Sequence, residues 1–167
     1  MRHTISVLID NNSGVLTRIT GLFARRGYNI LGLSVGPTEK EYLSRLIIIV
    51  NNEEEIVEQL IKQLYKFVNV RKIQDITNVA NVNRELMLLK VRVTEQTRTE
   101  ILDIVKIFGA KIVDFSEDSL TIEVTGEYGK IEVIEKLLKK FTVLELAKTG
   151  TIALLRSSNV SSQYLHS

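Results

Sequence analysis

Apolar positions along the chain switch repeatedly between two periods. The run from Thr4 to Leu8 is rich in β-branched residues and predicts a strand over residues 4–8. Asp10, Asn11, Asn12, Ser13 and Gly14 then break the pattern with turn formers. Val15, Leu16, Ile19, Leu22 and Phe23 recur at helical spacing. They predict an amphipathic helix over 15–26, closed by Gly27 as a left-handed C′ residue. Strands over 30–35 and 43–50 follow, separated by a turn around Pro37, then a helix over 53–66 and a strand over 68–76. Residues 78–83 are polar and Asn-rich and read as a linker. The order then returns: a strand over 85–93, a helix over 97–108 closed by Gly109, strands over 111–115 and 120–125, a helix over 130–140 and a strand over 143–147. Residues 151–155 are a candidate further strand, and residues 157–167 read as a flexible, Ser-rich tail.

The chain is therefore expected to be α+β, with two tandem ferredoxin-like βαββαβ domains over residues 1–77 and 84–156. Each half would cover one face of a four-stranded antiparallel sheet with two helices. A lone core of that size is marginal, and its edge strands invite pairing with another copy. A homodimer is the expected assembly.

Charge and composition narrow the chemistry. The net charge is +2, from 22 basic and 20 acidic side chains, too balanced for a chain built to neutralise many phosphates. The βαββαβ order also belongs to an RNA-binding module that stacks bases on aromatics of its central strands. Residues 43–50 and 120–125 carry none, so no nucleic-acid partner is expected. There is no cysteine, and the two histidines, His3 and His166, lie at opposite ends of the sequence. Thiolate and imidazole metal sites have nothing to build on, and both histidines read as solvated. Glu53, Glu54 and Glu55 sit at a helix start, where they complement the dipole, and Glu117 and Asp118 sit in a hairpin turn. Neither group has the paired placement of a general acid and base, so no catalytic site is expected on this chain. No apolar run reaches the ~20 residues of a membrane span, and the first strand starts too early to leave room for a signal peptide. A cytoplasmic or organelle-matrix protein is the expectation.

The segment from Asp10 to Gly14 is the informative one. A strand that turns tightly into a helix leaves the first helical N–H groups unpaired, and those groups attract an anion such as a carboxylate. Gly14 lets a ligand approach the backbone, and Asn11 offers both a carbonyl oxygen and an amide. The same residues serve equally as an Asx turn and an N-cap. In the second half the matching place holds Thr94, Glu95, Gln96 and Thr97, with no glycine and an added negative charge. If the loop binds an amino acid, only the first half does.

These residues carry a resemblance. Asp10 through Leu16, Gly27-Tyr28-Asn29-Ile30, Pro37-Thr38 and Leu43-Ser44-Arg45 resemble the small regulatory subunits of acetohydroxyacid synthase (acetolactate synthase), whose first half is an ACT domain. The likeness extends through Arg84 to Leu88 and Lys148-Thr149-Gly150. It implies two ACT domains paired edge to edge with valine at their interface. Asn11 and Gly14 would come from one protomer and Asn29 and Ile30 from the other, with Asn12, Ser13, Val15 and Leu16 as the supporting loop. It implies a large catalytic subunit as partner, activated by this chain and feedback-inhibited through it. That subunit would hold thiamine diphosphate, Mg²⁺ and FAD and form acetolactate from pyruvate, on the way to valine, leucine and isoleucine. This chain would hold no cofactor of its own. The expected compartment is then the bacterial cytoplasm or the plastid stroma. The rival reading is a stand-alone ACT-type amino-acid sensor acting on a different enzyme.

Overall fold

The computed structural model describes residues 1–157. It runs β1 (Arg2–Asp10), α1 (Val15–Arg26), β2 (Ile30–Pro37), β3 (Leu43–Asn51), α2 (Glu54–Leu64), β4 (Val70–Asp75), β5 (Asn81–Arg92), α3 (Arg98–Ile107), β6 (Lys111–Phe115), β7 (Ser119–Gly126), α4 (Tyr128–Leu138), β8 (Val143–Lys148) and β9 (Ile152–Leu155). The βαββαβ order appears twice, and both sheets are antiparallel. The first has strand order β2-β3-β1-β4 and the second β6-β7-β5-β8.

In the first unit, period-two burial puts Ile5, Val7 and Ile9 of β1 and Leu46, Ile48 and Val50 of β3 on one face. Against them pack Val15, Ile19, Leu22 and Phe23 of α1 and Val57, Leu60 and Leu64 of α2. Each fully buried Leu or Ile contributes about 1.5–3 kcal/mol, so the central strands carry this core. α1 ends at Gly27 with φ 67° and α3 at Gly109 with φ 66°, the left-handed geometry a non-glycine residue adopts only under strain. The second core gathers Met87, Leu89 and Val91 of β5, Ile122 and Val124 of β7, Ile101 of α3, and Ile131, Ile134 and Leu138 of α4.

Three features add to what the pattern of the sequence shows. By their packing, the described residues group as 1–82 together with the segment from Thr151, and 83–150. β9 pairs with β5, Arg156 N–H donates to the carbonyl of Ala80 (3.0 Å), and Ala153 is buried against Ile47, Ile49 and Ile76. Ile47 and Ile49 are the apolar residues that β3 turns away from its helices, and β9 supplies the burial that two helices on one face leave undone. Second, the expected linker over 78–83 is ordered: Asn81 opens β5, and its side-chain amide donates to the carbonyls of Ile76 and Val79. The tail expected over 157–167 lies outside the described residues beyond Ser157, and His166 with it.

Third, His3 is buried at 4% exposure rather than solvated. β1 starts at Arg2, which turns His3 to the same face as Ile5. Its Nδ1 lies 3.0 Å from the carboxylate of Asp75, and its Nε2 has no hydrogen-bond partner.

α4 is tied to β8 by Glu135, whose carboxylate meets Lys148 Nζ at 2.7 Å and Lys139 Nζ at 2.9 Å. Hydrogen bonds from Lys148 and then Lys139 hold this carboxyl below the ordinary glutamate value. A carboxyl lowered on folding stabilises the fold above its unfolded pKa and loses that contribution as pH falls through the folded one. Glu135→Gln is expected to lower stability by about 1 kcal/mol at pH 7, with the deficit closing toward pH 3. Urea titrations at the two pH values check this. A deficit that persists at pH 3 would assign the effect to packing instead.

Candidate effector site

The β1–α1 loop opens at Asp10, whose carboxylate takes Arg71 Nε at 2.7 Å and the side-chain amide of Asn69 at 3.2 Å. The Arg71 hydrogen bond, with a smaller one from Asn69, holds this carboxyl below the ordinary aspartate value. Asp10 is thereby ion-paired and presents little uncompensated negative charge beside the loop.

Asn11 follows, pinned at three points. Its N–H donates to the carbonyl of Tyr42 (2.9 Å), its side-chain amide donates to the carbonyl of Glu41 (3.3 Å), and its side-chain oxygen accepts from the hydroxyl of Ser44 (3.1 Å). An amide has two N–H groups and two lone pairs, so one of each stays available. Ser44 is 7% exposed, and in the sequence it stands out only within Leu43-Ser44-Arg45, with no role attached to it. A lone serine entering the apolar run of β3 is the physical signal for it.

Gly14 is the N-cap residue of α1 at φ 87°, and no side chain caps the helix. Asn12 and Ser13 are exposed and Val15 N–H reaches the carbonyl of Asn12 at a long 3.4 Å. The first i→i−4 bond is Arg18 N–H to Gly14 carbonyl (3.1 Å), so the N–H groups of Leu16 and Thr17 precede the helical ladder at the positive end of the dipole. The side chains of Val15 and Leu16 pack on the core, so these two residues lend the loop only backbone. A Cβ at position 14 would meet nothing within 4 Å, so the space before the helix is open. The matching loop of the second unit is closed on itself: the hydroxyls of Thr94 and Thr97 each accept the other's backbone N–H, at 3.2 and 3.0 Å.

Asn29 and Ile30 lie elsewhere. Asn29 N–H donates to Asn52 Oδ1 (3.2 Å), its side-chain amide donates to the carbonyl of Asn51 (3.3 Å), and Ile30 is half-buried against the core. β3 pairs with Asp10 at Leu43 and with Ile30 at Val50. At ~3.3 Å per residue these ends of the sheet are about 23 Å apart. Within one chain, then, Asn11 and Gly14 form one cluster and Asn29 and Ile30 another, too distant for a single amino acid to touch both.

The sequence matches two families in succession: residues 5–72 match the AHAS small subunit-like ACT domain, and residues 84–157 match the small subunit of acetolactate synthase. A probable acetolactate synthase small subunit of Archaeoglobus fulgidus is 46% identical over 158 residues, 95% of this chain and 99% of that one. The chain belongs to the acetolactate synthase small subunit family. A crystal structure of that subunit from Thermotoga maritima superposes with a TM-score of 0.84 at 40% identity, over 93% of this chain and 98% of that one. The chloroplastic acetolactate synthase small subunit 2 of Arabidopsis thaliana is 44% identical over 163 residues, which is 98% of this chain and 34% of that longer protein. The family is that of the regulatory small subunit, with an ACT domain first, and its partner is a large catalytic subunit. Among the described residues no helix is long and apolar enough to cross a membrane, and no cluster of three metal-ligating side chains occurs.

Proposed function

We propose that this chain activates a large acetolactate synthase subunit and makes it sensitive to valine, bound where two ACT domains meet. The observation that carries the reading is the separation of the two clusters. β2 is an edge strand with Leu31 and Val35 about half exposed. If β2 pairs antiparallel with its two-fold mate, the Ile30 end of one copy lies beside the Pro37 end of the other. Pro37 pairs with Ser44, and Ser44 holds Asn11. Edge pairing therefore brings Asn29 and Ile30 of one protomer to Asn11 and Gly14 of its mate, twice per dimer.

In each site the ligand carboxylate meets the free N–H groups at the start of α1 and the remaining amide of Asn11. Its ammonium meets the side-chain oxygen of Asn29, and its branched side chain lies against Ile30. The second unit, with its loop closed, takes no part in binding. Valine then biases the geometry of the dimer, and coupling of about 1–3 kcal/mol passes to the catalytic subunit. That subunit holds the thiamine diphosphate, Mg²⁺ and FAD and carries out the condensation of pyruvate; this chain supplies no group to it.

Calorimetry on the purified chain tests the reading directly. Valine is expected to bind at one site per protomer in a dimer. Leucine and isoleucine are expected to bind more weakly, by up to about 3 kcal/mol per misfitted methylene. Absence of heat with all three amino acids, at concentrations that inhibit the reconstituted holoenzyme, would remove the site from this chain.

A further inference from the structure

Ser44 holds Asn11, but the next residue, Arg45, has no part in that loop. Side chains alternate along β3, so Arg45 points away from α1 and α2, opposite to Ser44. Strand register sets Gly36, Arg45, Leu8 and Lys72 side by side across β2, β3, β1 and β4 on this helix-free face. β9 covers the neighbouring rows at Ile47 and Ile49. A Cβ on Gly36 would meet nothing within 4 Å, so the Arg45 row is open at that end. Arg45 and Lys72 are both half-buried. Among the described residues neither has a carboxylate partner, Glu39 and Glu41 of the adjoining turn included; Arg45 reaches only the hydroxyl of Ser6, at 3.4 Å. A partly desolvated charge without a counterion is unfavourable in the free chain, and an opposite charge brought by a partner relieves it.

We propose that the row of Arg45, Leu8 and Lys72 docks an acidic surface of the large catalytic subunit. The proposal rests on the activating half of the functional reading and not on the valine half. Geometry separates this occupant from two others. The backbones that carry the cations are about 10 Å apart, with β1 and its Leu8 between them, so a single small anion does not bridge the pair. A second copy packed through the same face about a two-fold axis sets cations toward cations. A different protein that presents separated carboxylates around an apolar side chain meets both charges and Leu8 at once. Pairing of β2 with its mate extends the sheet in its own plane, so a dimer joined at that edge still offers this face, once per protomer.

The test titrates the large subunit with the full chain and reads acetolactate formation. It compares wild type, Arg45→Gln, Lys72→Gln, and Arg45→Glu combined with Lys72→Glu. Half-maximal activation is expected to need about fivefold more of each single variant and about a hundredfold more of the double reversal. Raising the salt from about 0.05 to about 0.5 M should weaken activation by wild type more than by the Gln variants. Circular dichroism, the mass in light scattering and the heat of valine binding should all match wild type. If the double reversal folds poorly, the two Gln variants carry the test. Activation curves that overlay wild type, in variants that fold normally, overturn the docking surface alone. A lower mass for the variants than for wild type places the row between copies of this chain and overturns it too. A wild-type chain that leaves the large subunit's activity unchanged overturns the functional reading and this proposal with it.

Discussion

A holoenzyme carrying Gly14→Asp is expected to respond to valine about two orders of magnitude less sensitively than wild type. Three effects act in the same direction. The residue sits at φ 87°, where any L side chain costs about 1–2 kcal/mol, although aspartate is among the more tolerant. The new carboxylate stands at the start of α1, where it can accept the N–H groups that the proposed site offers to the ligand acid. It also places a negative charge in the ligand's path, and each charge-assisted hydrogen bond lost is worth about 1.5–3 kcal/mol. The open space around the position means that the added atoms collide with nothing, so the fold survives to report. Gly14→Ala introduces the strain without the charge and should lose about tenfold at most. Inhibition is read as a ratio to each variant's own activity without valine. Wild-type sensitivity of the Gly14→Asp holoenzyme would show that the acid group of the ligand lies elsewhere.

The elements of both halves were legible because local signals agree with tertiary demands. The helical spacing from Val15 to Phe23 and the left-handed glycines Gly27 and Gly109 leave few alternatives, and the structure has them where the pattern puts them. The loop was legible as chemistry for a similar reason: Asn11 to Gly14 combines an amide, a glycine and a helix start in consecutive positions. What closes over long distances was not legible. β9 is apolar at every position, which says that it packs but not on what. Its return to Ile47 and Ile49 depends on the path through the whole second unit. His3 looked terminal because its partner, Asp75, comes from β4 at the far end of the first unit. Asn11 and Asn29 are oriented by backbone carbonyls of Glu41 and Asn51, which carry no sequence signature. Their placement at opposite ends of the sheet follows from strand register, and register is what turns two half-sites into an argument for a dimer.

That argument makes the β2 edge the second place where a small change should have a large effect. Leu31 and Val35 are 52% and 47% exposed, outside the core cluster, so replacing both with glutamate leaves the folded protomer intact. In an antiparallel two-fold pairing of β2 the four new carboxylates are held close together, and like charges forced together cost several kcal/mol. On the proposed edge pairing, the dissociation constant of the dimer is expected to rise by about a thousandfold or more, so that light scattering at micromolar concentration reports the protomer mass. Circular dichroism should remain that of wild type. Valine heat should vanish in parallel, because Asn11 and Gly14 keep their positions while Asn29 and Ile30 of the mate are gone, and a half-site offers the ligand only one of its two charged anchors. The two readouts separate the alternatives. A dimer that persists and binds valine places the contact on another surface. A monomer that still binds valine with full affinity places the whole site within one chain, which the ~23 Å between the clusters forbids for Asn11 and Asn29 together.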